Sequence, residues 1–502
     1  MNKSIIIIGA GMGGLSAGCY GQMNGYNTQI FEMHTSPGGQ CASWKRKGYT
    51  FDACIHHLFG CSPSSKIYQL WRELGAMPRE MVRPADCTSV LSQDGKLFMD
   101  YYDLDWLEDH LHRLSPVDSK AIKEYIDAIK SFAKSDLMGE MMLGSAWGLT
   151  KMLPSIPAIM KWFRTTMQQF SERFSDPFLK RAFQLLVYSA PSIPVAVHLV
   201  RHAYGINMAL QWPVGGALEF AGSIEKRYKD LGGTVHYRSR VEKILVDKDK
   251  AVGVKLADGS EHRADIIISN ADGRKTIMEM LDGKYINEPI RSYCAEPADE
   301  TNWAAHVFLG VDMDLSQEPS ALIMLLDKPV TIANHKNDSL EMQMYGFDKT
   351  MAPEGKGIIK VELVSGYFNW KQLYTDKQKY EEEKQKVAGQ VIDILENYFH
   401  GIRNQIEVMD IPTLITWERV MGGTHGFNNL PNRKFSFIGG LRGSAGEQTL
   451  PGFSNFYFVG VWASMSPSLF GNALSGRKTI QTLCKKDRKK FFALSQVSRL
   501  CH

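Results

Sequence analysis

The apolar positions of the 502-residue chain change their period along its length. Ile5 to Ile8 form an unbroken β-branched run, the pattern of a strand buried on both faces of a parallel sheet. The small-residue stretch LSAGCYGQMNGY predicts a helix ending near Gly25, and Thr28 to Phe31 predict a second strand. Between 106 and 212 the period lengthens. DWLEDHLHRLSP, SKAIKEYIDAIKSFAKS and FLKRAFQLLVYSA read as amphipathic helices broken at Pro and Ser. From 276 to 434 strand-like runs such as NWAAHVFLGV and GIIKVELVS mix with the polar helix DKQKYEEEKQKVAGQVIDILENYF, which predicts a sheet with helices.

One helical stretch has a distinct pattern. From Ile156 the residues Ile159, Met160, Phe163, Met167, Phe170 and Phe174 recur at steps of three or four, with Lys161, Arg164 and Arg173 interleaved and Trp162 nearby. An apolar stripe edged by basic residues fits a helix lying on a membrane surface. It fits a core helix of an inserted domain equally well.

The first strand leads into chemistry. Gly9, Gly11 and Gly14 follow it at G-x-G-x-x-G spacing, and Glu32 closes the second strand 18 positions after Gly14. The first glycine permits a tight turn, the second admits a pyrophosphate to the backbone, and the third lets the helix pack on the strand. Free N–H groups of the helix's first turn then face the phosphates, and the acid accepts from a ribose hydroxyl. Strand, glycine triplet, helix, strand and acid in this order specify a dinucleotide-binding unit without separating NAD from FAD.

The next segment, EMHTSPGGQCASWKRKGYTFDACIHHLFG, places Gly38-Gly39 and then Phe51-Asp52 after that acid. Here the chain resembles the phytoene desaturase, carotenoid isomerase and retinol saturase group of the amine-oxidase-like flavoproteins. Three later blocks continue the resemblance: WPVGG through SNAD with Val241 inside it, DIPTLITWERVMGGTHG with Arg419 and Gly422, and NFYFVGVWASMSPSLFGNALSGRKTIQTL. The resemblance implies FAD as cofactor, held by Gly9, Ala10, Gly11, Met12, Gly13, Gly14, Glu32, Gly38, Gly39, Gln40, Val241, Gly460 and Leu469. It also implies an α/β fold with a discontinuous Rossmann-like FAD-binding domain (1–105, 213–275 and 435–490). A helical insert (106–212), in contact with a membrane because carotenoid-type substrates live in lipid, and a substrate domain of mixed sheet and helices (276–434) complete it. The chain departs from the group's pattern at Gln40, at Ala53-Cys54, at Val461-Trp462 and in SPSLF, and the last two changes put larger side chains near the expected flavin ring.

Composition narrows the picture further. With 44% hydrophobic and 22% charged residues the chain is an ordinary globular one, and its net charge of +4, from 58 basic and 54 acidic residues, implies no nucleic-acid partner. Eight cysteines form no C-x-x-C pair and read as reduced thiols of a cytoplasmic protein. The start is read as a strand rather than a signal peptide, and no window of ~18 apolar residues predicts a transmembrane helix.

Because a flavin carries the redox chemistry itself, few dedicated side chains are expected. His56 and His57 match the histidine of the group's F-D-x-G-x-H stretch. They are candidates either for proton donation to a carbanion-like intermediate or for simple packing beneath the cofactor. Cys54, His56, His57 and Cys61 lack a second ligand pair, so no metal is expected. Arg419 and Arg442 are candidate cavity or phosphate residues, although surface ion pairing is the commoner fate of an arginine. The resemblance implies an FAD-dependent oxidoreductase acting on carbon–carbon bonds of a long apolar polyene or isoprenoid, by desaturation, saturation or isomerisation. The alternatives are amine-oxidase-like C–N oxidation and a non-redox prenyl-binding escort of the Rab GDP-dissociation-inhibitor type.

Overall fold

The computed structural model describes residues 3–78, 80–143, 156–295, 302–332, 334–423, 448–463 and 468–493. Its central feature is a five-stranded parallel sheet in the order Thr234–His236, Asn27–Phe31, Ser4–Ile8, Ile266–Ser269, Phe456–Phe458. Ile5 pairs with Ile266 on one side and Thr28 on the other. The apolar run explains why this strand is central: Ile5 and Ile7 face the helices Met12–Met23 and Leu469–Lys486. Ile6 and Ile8 face the small antiparallel sheet of Val241–Asp247, Lys250–Leu256 and Glu261–Arg263. Each side chain is at most 4% exposed, and full burial of one such side chain is worth about 1.5–3 kcal/mol. The strands come from the beginning, middle and end of the chain, so the cofactor unit is discontinuous.

A seven-stranded sheet lies beyond it, in the order Ile406–Asp410, Asn302–Val311, Gly357–Ser365, His335–Met344, Ala321–Ile332, Asp86–Leu91, Leu97–Tyr101. Residues 86–101, which the sequence reading assigns to the cofactor unit, belong to this second sheet through parallel pairing of Ser89 with Leu322. Alternation marks a strand but not its partner, and this partner is far along the chain.

The insert is helical, and the 156–174 stretch within it differs from the expected single amphipathic helix. Helix Ile156–Arg164 stops, and Thr166 begins a new one, Met167–Ser171, through a reciprocal capping box with Gln169. Met167, Phe170 and Phe174 are buried, the two rings packing on Phe183 at 5.6 and 4.4 Å. Arg173 and Lys161 both pair with Glu124. Exposed apolar residues of the stripe are confined to the first helix, where Ile156, Met160 and Phe163 are 37–41% exposed. Among the described residues no helix is long and apolar enough to cross a membrane.

Candidate functional site

A cleft of about 1440 Å³ runs from the end of the parallel sheet to the seven-stranded sheet. At one end the chain turns at Gly9 (φ +93°), and Gly11 precedes the helix Met12–Met23 without any side-chain cap. The first-turn N–H groups therefore face the cleft as a site for anionic oxygen. A β-carbon on Gly14 would lie 2.1 Å from the Gly9 carbonyl oxygen, so this glycine sets the approach of helix to strand. On Gly11 it would lie 2.6 Å from Asn270 Nδ2, and on Gly13 it would lie 2.5 Å from the Gly460 nitrogen. The Gly38 N–H donates to the Ala10 carbonyl at 2.9 Å, which brings the second glycine pair alongside the first turn. Glu32, buried at the strand end, accepts from the Ala10 N–H at 2.7 Å and the His34 N–H at 2.8 Å. Each of its oxygens keeps a lone pair for a further donor.

The expected cofactor residues converge here. Gly9, Gly11, Met12, Gly13 and Glu32 line the cleft from the amino-terminal block, and Gly38, Gly39 and Gln40 from the next. Val241, Gly460 and Leu469 line it from the central and carboxy-terminal blocks. Ala10 and Gly14 stand behind this surface, one donating to Glu32 and the other packing on Gly9. Trp462 reaches the cleft wall, but the residue is only 6% exposed and packs in the core with Ile6, Ile8 and Ile267. It therefore crowds the cleft less than its size suggests. Ser466 and Pro467 of the SPSLF departure, and Arg442, lie outside the described residues. Arg419 stacks on Tyr374 beside a separate hollow of about 340 Å³ and does not line the main cleft.

Asp52 sets the middle of the cleft. Its buried carboxylate accepts from the N–H groups of Cys54 and Ile55, both at 2.9 Å, and of Ala217 at 2.6 Å. Burial pushes its carboxyl up in pKa; the three donors and Lys360 pull against that. The bonds tie the loop carrying His56 and His57 to the start of helix Gly216–Asp230, and both histidines line the cleft. His56 Nε2 is 3.2 Å from Glu362 Oε1, and His57 Nε2 is 2.7 Å from the Arg201 guanidinium.

The far wall contains residues that sequence reading missed. Glu362 pairs with Lys360 at 2.7 Å, and His306 is 4.0 Å away. Trp44 and Trp417 form an aromatic wall, their centroids 5.8 Å apart. A signal existed in GIIKVELVS, where Lys360 and Glu362 sit two apart in an apolar strand and so share one face. Cys54, His56, His57 and Cys61 are not a metal cluster in the structure. Among the described residues only Cys87, Asp100 and His198 bring three ligand-type atoms together. There the Tyr125 hydroxyl is 2.6 Å from His198 Nε2 and donates to Asp100, so the group is a hydrogen-bonded network.

Comparison with known proteins extends the geometry. Residues 7–74 match the family model of the NAD(P)-binding Rossmann-like domain. The chain is 26% identical to a chloroplastic prolycopene isomerase of Arabidopsis thaliana, over 84% of its own length and 73% of the relative's. It is 25% identical to a lycopene-forming phytoene desaturase of Pseudescherichia vulneris, over 82% and 85%. The chain is thus similar, at about 25% identity over most of its length, to prolycopene isomerases and phytoene desaturases.

Solved structures agree in fold. An oxidoreductase from Methanosarcina mazei superposes with a TM-score of 0.61 at 18% identity, covering 95% of this chain and all of the other. A putrescine oxidase does so at 0.60 and 12%, covering 97% and 99%. Together these likenesses support an FAD-dependent oxidoreductase. Its own residues fit that cofactor: the uncapped helix start and paired glycines suit a pyrophosphate, and Glu32 suits a ribose. Asn472 Oδ1, buried on a cleft-lining residue, has no hydrogen-bond donor among the described residues and would receive one from a bound group.

Proposed function

We propose that this protein acts on carbon–carbon bonds of a long apolar polyene or other isoprenoid, by desaturation, saturation or isomerisation. The observation that carries the reading is a single continuous cleft. It begins at the glycines and passes the loop Ala53–Phe59. It ends against Trp44 and Trp417, in a chain whose relatives are named as carotenoid isomerases and desaturases over most of its length. Its volume exceeds the ~300–1,000 Å³ of an ordinary small-molecule pocket, leaving room for a substrate beside the dinucleotide.

FAD supplies two-electron exchange with substrate carbon when bound. The protein supplies the rest. The glycine turns and Glu32 hold the dinucleotide, and the Asp52-anchored loop positions His56 and His57. Trp44 and Trp417 exclude water from an apolar chain. Gly9 to Gly14, Glu32, Gly38 to Gln40, Val241, Gly460 and Leu469 are the cofactor residues in this proposal. The C–N alternative draws no support beyond shared fold. Peripheral membrane contact is part of the reading: Ile156, Met160 and Phe163 present an exposed apolar face on helix Ile156–Arg164 through which a lipid-dissolved substrate enters.

The test is direct. Purified protein should show flavin absorbance and, supplied with phytoene or prolycopene in phosphatidylcholine vesicles, should change the polyene's absorption spectrum. A flavin-replete preparation that leaves both polyenes unaltered, with dithionite-reduced as well as oxidised flavin, would count against this substrate class.

A further inference from the structure

The two adjacent histidines are held in opposite electrostatic settings. We propose that His56, braced by Glu362, is the residue that exchanges a proton with substrate carbon, whereas His57 is a fixed hydrogen-bonding ring held by Arg201. This assignment rests on the polyene reading above and deepens it.

His57 faces a permanent cation. The Arg201 guanidinium donates to His57 Nε2 at 2.7 Å, which requires an unprotonated nitrogen there and leaves the ring hydrogen on Nδ1. Burial, then Arg201, then His56 hold the His57 imidazole well below the usual histidine range. A second proton on this ring would abut the guanidinium of Arg201, a residue only 7% exposed, which lies 5.6 Å over the Tyr188 ring. His57 can orient a neighbour through Nδ1–H. It cannot cycle a proton near neutral pH.

His56 faces an anion instead. Its Nε2 lies 3.2 Å from Glu362, and its side chain, 22% exposed, lines the cleft. Burial pushes the Glu362 carboxyl up, but Lys360 and then His56 outweigh burial and hold it well below the ordinary glutamate range. The carboxylate therefore stays charged to stabilise an imidazolium. Across the sheet, Glu341 stands in register with Glu362. Burial and then the Glu362 charge push Glu341 up to about 8, so it stays protonated and adds no second negative charge at neutral pH. His306 faces the same carboxylate at 4.0 Å from the neighbouring strand, and Asp52 approaches Lys360 from the loop. With Nε2 engaged by Glu362, Nδ1 is the nitrogen left to meet substrate.

In the saturating direction the His56 Nδ1–H bond breaks and a C–H bond forms on one carbon of the double bond. The neighbouring carbon gains a hydride, with its two electrons, at the expense of the reduced cofactor. The substrate is reduced by two electrons, the cofactor is oxidised by two, and solvent returns the proton to His56. Desaturation is the reverse, with Nδ1 accepting the proton. Glu362 acts only through His56 and is a positioning residue.

The test is ring-nitrogen NMR of the FAD-loaded, ¹⁵N-histidine-labelled protein, with His56→Gln and His57→Gln for assignment and the isosteric Glu362→Gln as the probe. His57 is expected to keep Nε2 unprotonated as pH falls below the range in which an ordinary histidine takes up its proton. Glu362→Gln is expected to shift the His56 ring signals while those of His57 stay in place. A His57 ring that becomes doubly protonated over that range, or His56 signals indifferent to Glu362→Gln, would overturn the assignment. The visible spectrum of the same samples reports cofactor binding separately: if the chain takes up no FAD, the redox reading falls, while the NMR result still decides which ring meets an anion.

Discussion

The two ends of the cleft are made of different materials. At the dinucleotide end the chain presents backbone: glycines whose β-carbons would collide, an uncapped helix start, and one acid that already accepts two N–H groups. At the substrate end it presents charged side chains on a rigid sheet, with Lys360, Glu362 and His306 meeting His56 from the Asp52 loop. A backbone site recognises shape, and almost any side chain there is an obstruction. A side-chain site sets charge and proton position, and can change with the reaction.

The comparison predicts unequal responses to substitution. The largest effect is expected for Gly11→Val, whose side chain would enter the space between Asn270 and Gly38 that the proposal gives to the pyrophosphate. FAD should be absent from the purified variant while circular dichroism stays native, and normal flavin content would refute the backbone-built site. Phe170→Ser comes next, because it opens a cavity among Trp162, Phe174 and Phe183. A loss of about 3–5 kcal/mol in denaturant unfolding is expected.

Glu32→Ala removes a carboxylate that ties down the Ala10 and His34 N–H groups and that, in the proposal above, also holds a ribose. Hydrogen bonds to a charged group are worth roughly 1.5–3 kcal/mol, so FAD should bind at least about tenfold more weakly by calorimetry. An unchanged Kd would place the ribose elsewhere.

Glu341 tests the charged end through pH. Its carboxyl titrates at about 8 when folded, against 4.5 ordinarily, so the folded state keeps a proton that the unfolded chain releases. Stability from this source is full below pH 4.5 and is lost as pH rises through about 8. Glu341→Gln, which cannot ionise, should flatten the fall in Tm between about pH 6 and 8.5. A fall as steep as in the parent would mean that Glu341 is not held neutral.

The smallest effect belongs to Phe163→Ser, at an exposed position on helix Ile156–Arg164. Stability should change by no more than about 0.5 kcal/mol, while co-sedimentation with phosphatidylcholine vesicles falls. Undiminished sedimentation would remove this face from the membrane reading. The contrast with Phe170→Ser separates two residues that share one stripe in the sequence.

That stripe shows where reading the chain stops. Periodicity of three and four places Phe163 and Phe170 on one face, but the first helix stops at Arg164 and the Thr166 capping box starts another, so the two rings do not share one helix. Residues 86–101 show the same limit in strands, because hydrophobic alternation is identical whichever sheet takes them up. The His56-His57 pair was legible as an element of the site, since its spacing from Phe51-Asp52 is local. Its division into an anion-braced ring and a cation-braced ring was not, because Glu362 and Arg201 arrive from a distant strand and helix.

What the sequence by itself determined is whatever depends on backbone conformation and local spacing. That covers the buried first strand, the glycine turns that only a residue without a β-carbon can form, and the acid at the next strand's end. The tertiary structure alone decided what depends on which charges become neighbours after burial. A histidine's ability to hold a proton follows from the sign of the group a few ångströms away in a medium of low polarity, and no spacing along the chain encodes that sign.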